Sequence, residues 1–159
     1  MFNFSKVLPK VANNELDSPK IAVWGFILFT ALMTWRSIIH MFFESYGFHG
    51  IANFVVLTGE PDPMPIIYRF FSLWGSVQLI FCLVCWVVIL KYKSLIPLMS
   101  AFWILEWGQR LFLYPLIRED ITSIGEYTTN ITPGYDLAPL PFVIAVAVFL
   151  ISIANKKEK

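Results

Sequence analysis

Charged side chains are scarce in this sequence: 12 Lys or Arg and 11 Asp or Glu among 159 residues, or 14%, against 57% hydrophobic and 17% aromatic residues. A soluble domain carries about 25% charged residues, so this chain has too few to cover a water-facing surface. Together with a mean hydropathy of +0.66, the scarcity points to a polytopic membrane protein of one domain, residues 1–159. Basic charge is also dispersed along the chain. The net charge is +1 and the basic residues fall in short groups, which leaves no electrostatic footprint for nucleic acid. Cysteine is reduced to Cys82 and Cys85. They form a C-x-x-C inside an apolar run, with no helix N-terminus to lower a thiol pKa, so they read as two small buried hydrophobes. Histidine is limited to His40 and His49. His40 and Glu44, four apart, are spaced to share a metal, but His49 lies in a Gly-rich turn and no third ligand stands at a recognisable spacing, so no metal site is expected.

Long apolar runs are plentiful. The expected spans are about 19–43, 66–90, 95–116 and 139–154, and about 20 residues suffice to cross the ~30 Å hydrocarbon layer. Ser18 and Pro19 read as an N-cap and first-turn proline, Ser94 as a cap for the third span and Pro115 as its end. The first span lacks the short apolar core and small-residue cleavage site of a signal peptide. The loops are 44–65 and 117–138. The first is broken by Gly47, Gly50, Gly59, Pro61, Pro63 and Pro65 and contains an apolar run, 51–57, too short to span, which reads as interfacial or re-entrant.

Topology follows from the basic residues. Lys6, Lys10, Lys20, Lys91, Lys93, Lys156, Lys157 and Lys159 fall on one side of such an arrangement. The opposite loops hold Arg118 against Glu44, Glu60, Asp62, Glu119, Asp120, Glu126 and Asp136. The basic side is cytoplasmic by the positive-inside rule, which puts both termini inside and both long loops outside. The expected fold is therefore an all-α integral membrane protein, a four-transmembrane-helix bundle with N- and C-termini cytoplasmic.

A charge at mid-bilayer costs about 2.5–3.5 kcal/mol on insertion scales, so ionisable groups there face the bundle interior and find partners. Glu106 and Arg110 are four apart in the third span, on one helix face and in the favourable order. Arg36, His40 and Glu44 recur every four residues on the first span, Arg36 roughly 22 Å up from Ile21 by the helical rise. The second span contributes Arg69 near the outer surface and Gln78 near mid-depth. These residues, with Gln109, make a candidate polar cluster in the outer half of the bundle. Its three arginines outnumber two glutamates, leaving a surplus positive charge that an anionic head group, carboxylate or phenolate would neutralise. The competing reading is structural pairing that only fixes helix register.

The runs WRSIIHMFF (35–43), YRFFSLWGSVQL (68–79), KYKSLIPLM (91–99) and LEWGQRL (105–111) resemble small bacterial four-span membrane proteins that are DoxX-like in layout. The resemblance covers about residues 20–116. It implies a compact protein of the bacterial inner membrane and carries over no catalytic residue. The functions to test are then an accessory subunit of a membrane complex or a binder of a lipid or small amphiphile. The alternatives are an enzyme on a lipid-soluble substrate such as a sterol, quinone or isoprenoid, with Glu106 as acid or base, and a proton-coupled transporter. Membrane lipids, other membrane subunits or a small amphiphile are the expected partners; the residues name no cofactor.

Overall fold

The computed structural model describes residues 2–15, 18–117 and 126–155, all helix and connecting turns without a strand among them. Arg118, Glu119, Asp120, Lys156, Lys157 and Lys159, which enter the charge count above, lie outside the described residues. Helix α1 spans Lys20–Phe42 and α2 spans Met64–Lys91. Both are long and apolar enough to cross a membrane. Helix α3 runs Ile96–Gly108 and α4 runs Pro139–Ile153.

Local chemistry sets the ends. Asp62 accepts the Met64 N–H at 2.9 Å, and Pro65 occupies the first turn of α2. Pro19 occupies the cap position of α1, whereas Ser18 does not cap the helix; its hydroxyl donates to the Ser152 carbonyl at the end of α4. Ser94 likewise serves another purpose than the cap expected of it. Its hydroxyl donates to the Asn13 carbonyl at 3.0 Å and accepts the Asn13 N–H at 2.9 Å. The third apolar run is also not one regular helix. After Gly108 it widens into a π-helical turn, Gln109–Leu113, before a last turn at Tyr114–Ile117.

Helix α1 packs along α2 and against α4, and α4 packs along α3. The α1–α2 crossing is tight because Gly75 has no side chain: a Cβ there would lie 2.6 Å from His40 Cβ and 2.7 Å from the Met41 nitrogen. Between α3 and the α1–α2 pair the spacing is set by aromatic rings. Trp103 meets Phe29 edge-on at 5.3 Å and Phe81 at 4.8 Å. Trp103 is fully buried, among Phe26, Met33, Cys82, Cys85 and Val148.

The polarity of the bundle is inverted relative to a soluble one. Thr30, Ser37, His40, Gln78, Ser100 and Ser152 are buried, while α1 exposes Ile21, Trp24, Leu28, Leu32, Trp35, Ile38 and Phe42, one side chain per turn. At one end the N-terminal segment is tied to α4 through the Asn3 N–H to the Ile153 carbonyl, 2.9 Å. At the other end the two long connections close on each other. A π-helical turn, Tyr46–Ile51, leaves α1, and the run 51–57 expected as an interfacial segment continues from it without regular helix or strand. Val55 N–H donates to the Tyr127 carbonyl and Thr129 N–H to the Asn53 carbonyl, each at 2.9 Å, and the Thr132 hydroxyl donates to the Ala52 carbonyl at 3.0 Å. Asn53 adopts φ 60°, a left-handed conformation that asparagine tolerates, and its side-chain amide donates to the Ile131 carbonyl at 2.6 Å.

Candidate functional site

Under that roof lies a cavity of about 1090 Å³ bounded by α1, α2, the end of α3 and the 132–135 turn. Its polar groups come from helix faces. Arg36 and His40 are one turn apart on α1, and Glu106 and Arg110 one turn apart across the start of the π-helical turn. Arg110 donates to Glu106 Oε1, forming an ion pair whose side chains are 16% and 26% exposed respectively. Gln78 joins this pair to α1: its Nε2 donates to Glu106 Oε1 at 3.2 Å, while its Oε1 accepts Arg36 Nη1 at 2.7 Å and the Ser37 hydroxyl at 3.2 Å. Gln78 is thus a neutral strut between an unneutralised cation and a neutralised one.

Two tryptophans enclose the cations. Arg36 stands 4.8 Å from the Trp74 ring and 5.6 Å from Trp107; Arg110 stands 4.7 and 4.8 Å from the same rings. Such contacts stabilise a desolvated guanidinium by up to about 2 kcal/mol each. They partly offset the burial of two like charges. Trp74 also stacks on His40 at 4.7 Å, and Phe71 tilts against the same imidazole at 4.4 Å and meets Trp74 edge-on at 5.7 Å.

Charge does not balance here. Arg36 makes no ion pair with any described residue, so Arg36 and Arg110 against Glu106 leave one positive charge with His40 neutral. Several polar atoms are also buried without a hydrogen-bond partner among the described residues: Glu106 Oε2, Arg110 Nε, His40 Nδ1 and Trp107 Nε1. An unmatched buried polar atom costs about 1–3 kcal/mol, and four in one place are a concentration that packing alone does not require.

Of the residues expected to cluster, Arg36, His40, Glu106, Gln109 and Arg110 line the cavity, and Gln78 braces it from beneath. Glu44 and Arg69 do not. They line a separate recess of about 390 Å³ with Tyr68 and Ser72. Glu44 leaves the ladder because α1 ends at Phe42, with Phe43 at φ −133° breaking the i+4 register. Arg69 precedes Gln78 by nine residues on one helix, which at 3.6 residues per turn puts it half a turn away on the opposite face. The expected surplus of three arginines over two glutamates thereby becomes two over one. His49 is bound to the Phe54 carbonyl and the Tyr68 hydroxyl, each at 2.7 Å, and no metal-holding group of His, Cys, Asp and Glu side chains gathers among the described residues. Trp74, which sequence spacing does not single out, is a wall of the site; its position one turn before Gln78 on the same helix is the signal that places it there.

No protein-family model matches the chain, and no curated protein or solved structure is recognisably similar to it. The class stated by the fold is an all-helical protein with, among the described residues, two helices long and apolar enough to cross a membrane.

Proposed function

We propose that this chain is a multi-pass protein of a bacterial inner membrane, with four spans and both termini cytoplasmic, that binds a small amphiphile or lipid by its anionic head in the cavity facing the outer leaflet. The inverted polarity supports the membrane reading, since a stripe of large apolar side chains along α1 suits lipid and not water. On this reading α3 with its π-helical turn, about 33 Å over residues 96–117, and α4, about 22 Å, are the two shorter spans. The two connections that dock on each other, 52–55 and 127–132, then share the outer side, in agreement with the loop charges.

The observation that carries the binding reading is the unneutralised Arg36 in a cavity of about 1090 Å³ whose other walls are largely aromatic and aliphatic. Ligand sites of this kind are mostly apolar with a few convergent polar groups. A guanidinium offers planar paired donors to an oxyanion, and the rings suit a hydrocarbon chain. The test is native mass spectrometry of the full chain purified from its host in mild detergent. A retained anionic amphiphile is expected. A retained protein subunit with an empty cavity would replace this reading with that of an accessory subunit, and neither would remove it.

A further inference from the structure

We infer that the cavity is loaded sideways from the bilayer and that its occupant is a membrane lipid of one net negative charge, with the oxyanion on Arg36 and not on Arg110. This rests on the amphiphile-binding reading above and adds the route, the charge and the residue.

The route comes from α1. Leu32 and Trp35 are 50% and 57% exposed and belong to the outward stripe of that helix, yet both also line the cavity, as does Ile39 one turn above Trp35. A side chain that is at once outward-facing and cavity-lining marks an opening through the flank of the bundle. An acyl chain can lie across that opening with its end still among the surrounding lipids, so the head enters without crossing water. At the other approach the Thr132 hydroxyl and the Asn53 amide tie the two connections together beside the turn that lines the cavity.

The charge and the residue come from the pairing. Arg110 is neutralised by Glu106, whereas Arg36 is held only by a neutral amide, through Nη1. Its Nη2 passes beneath the roof, 3.1 Å from where a Cβ on Gly134 would stand, so glycine there leaves room for the guanidinium and whatever it binds. Of five guanidinium N–H groups one is engaged by Gln78. The rest have no acceptor among the described residues and form a fork suited to a phosphodiester or carboxylate. One net positive charge is matched by one negative charge; a zwitterionic head would bring a second cation toward Arg110, which like-charge repulsion disfavours.

The experiment reconstitutes the full chain in vesicles of phosphatidylcholine containing a minor fraction of phosphatidylglycerol, extracts it in mild detergent and counts bound lipid by native mass spectrometry. The wild type should retain phosphatidylglycerol against the excess of phosphatidylcholine. Arg36→Gln should retain it about ten-fold less or worse, and Arg36→Lys should recover part of the loss, on the usual strength of a charge-assisted bond. Leu32→Trp, which narrows the opening, should slow the appearance of bound lipid in vesicles without changing the final amount bound in detergent. Thermal unfolding of each variant confirms that it is folded. Retention in proportion to membrane composition, or loss with Arg110→Gln and not with Arg36→Gln, overturns the inference while leaving an amphiphile site standing. Glycerol phosphate binding to lipid-free protein as tightly as phosphatidylglycerol overturns the sideways route, because the head group would then suffice from water. A wild type that retains no amphiphile removes the underlying reading as well.

Discussion

At the scale of single residues the account turns on which charge is unmatched. Counting Arg36 and Arg110 as positive and Glu106 as negative, the cavity carries +1 in the wild type, +2 in Glu106→Gln, +1 in Glu106→Gln with Arg110→Met, and 0 in Arg36→Gln. Breaking a buried ion pair by removing one partner costs about 3–5 kcal/mol, whereas removing both is milder. In lipid-free protein Glu106→Gln should therefore lower the thermal midpoint most, the double variant should recover much of that loss, and Arg36→Gln should leave it unchanged or raised. An Arg36→Gln protein less stable than Glu106→Gln would show that Arg36, and not Arg110, is the carboxylate's partner. Truncating Trp107 to Leu removes a ring from both guanidinium groups, at 5.6 and 4.8 Å. It is buried to 2% exposure, so a loss of about 3 kcal/mol or more is expected, combining a cavity with lost cation–π contact.

The site depends on how closely α1 and α2 approach at the scale of helices and turns. Gly75→Ala would put a methyl 2.6 Å from His40 Cβ and 2.7 Å from the Met41 nitrogen, atoms that rotamer changes do not move aside. Overpacking of this sort costs about 1–3 kcal/mol; calorimetry of the variant should show that drop, accompanied by weaker retention of the bound amphiphile because His40 and Arg36 shift together. Gly59→Ala, whose nearest neighbour would be 3.6 Å away, is the matched control and should stay within about 0.5 kcal/mol of wild type. Equal effects at the two glycines would contradict a site positioned by that crossing. This scale also shows where sequence reading ends. Spacing of four on α1 and α3 brings Arg36, His40, Glu106 and Arg110 into view, because helical periodicity is local. Glu44 is misassigned for the same reason: nothing near it in sequence announces that α1 stops two residues earlier. Arg69 depends on helix phase, which depth alone does not supply. The roof built on Asn53 in a left-handed conformation answers to contacts some 75 to 80 residues away, such as the Asn53 amide on the Ile131 carbonyl and the Thr132 hydroxyl on the Ala52 carbonyl. Trp74 is hidden by plenty, as one of six tryptophans.

For the whole molecule the loop charges predict orientation. Thr58 and Thr129 are exposed on the connections that dock at the cavity end of the bundle. Thr58→Cys and Thr129→Cys, made singly, should each react with an impermeant thiol reagent applied to intact cells, against a silent background because Cys82 and Cys85 are fully buried. Reaction only after the membrane is opened would reverse the topology and turn the cavity toward the inner leaflet. The central claim, an anionic head group held in that cavity, is tested most directly by thermal unfolding of lipid-free protein titrated with two amphiphiles of identical chain, one with an anionic and one with a zwitterionic head. A ligand at a hundred times its dissociation constant stabilises the folded state by about 2.7 kcal/mol, or about 5–10 °C for a chain of this size. The account predicts that rise for the anionic head alone, abolished in Arg36→Gln; no rise, or an equal rise with both heads, would contradict it.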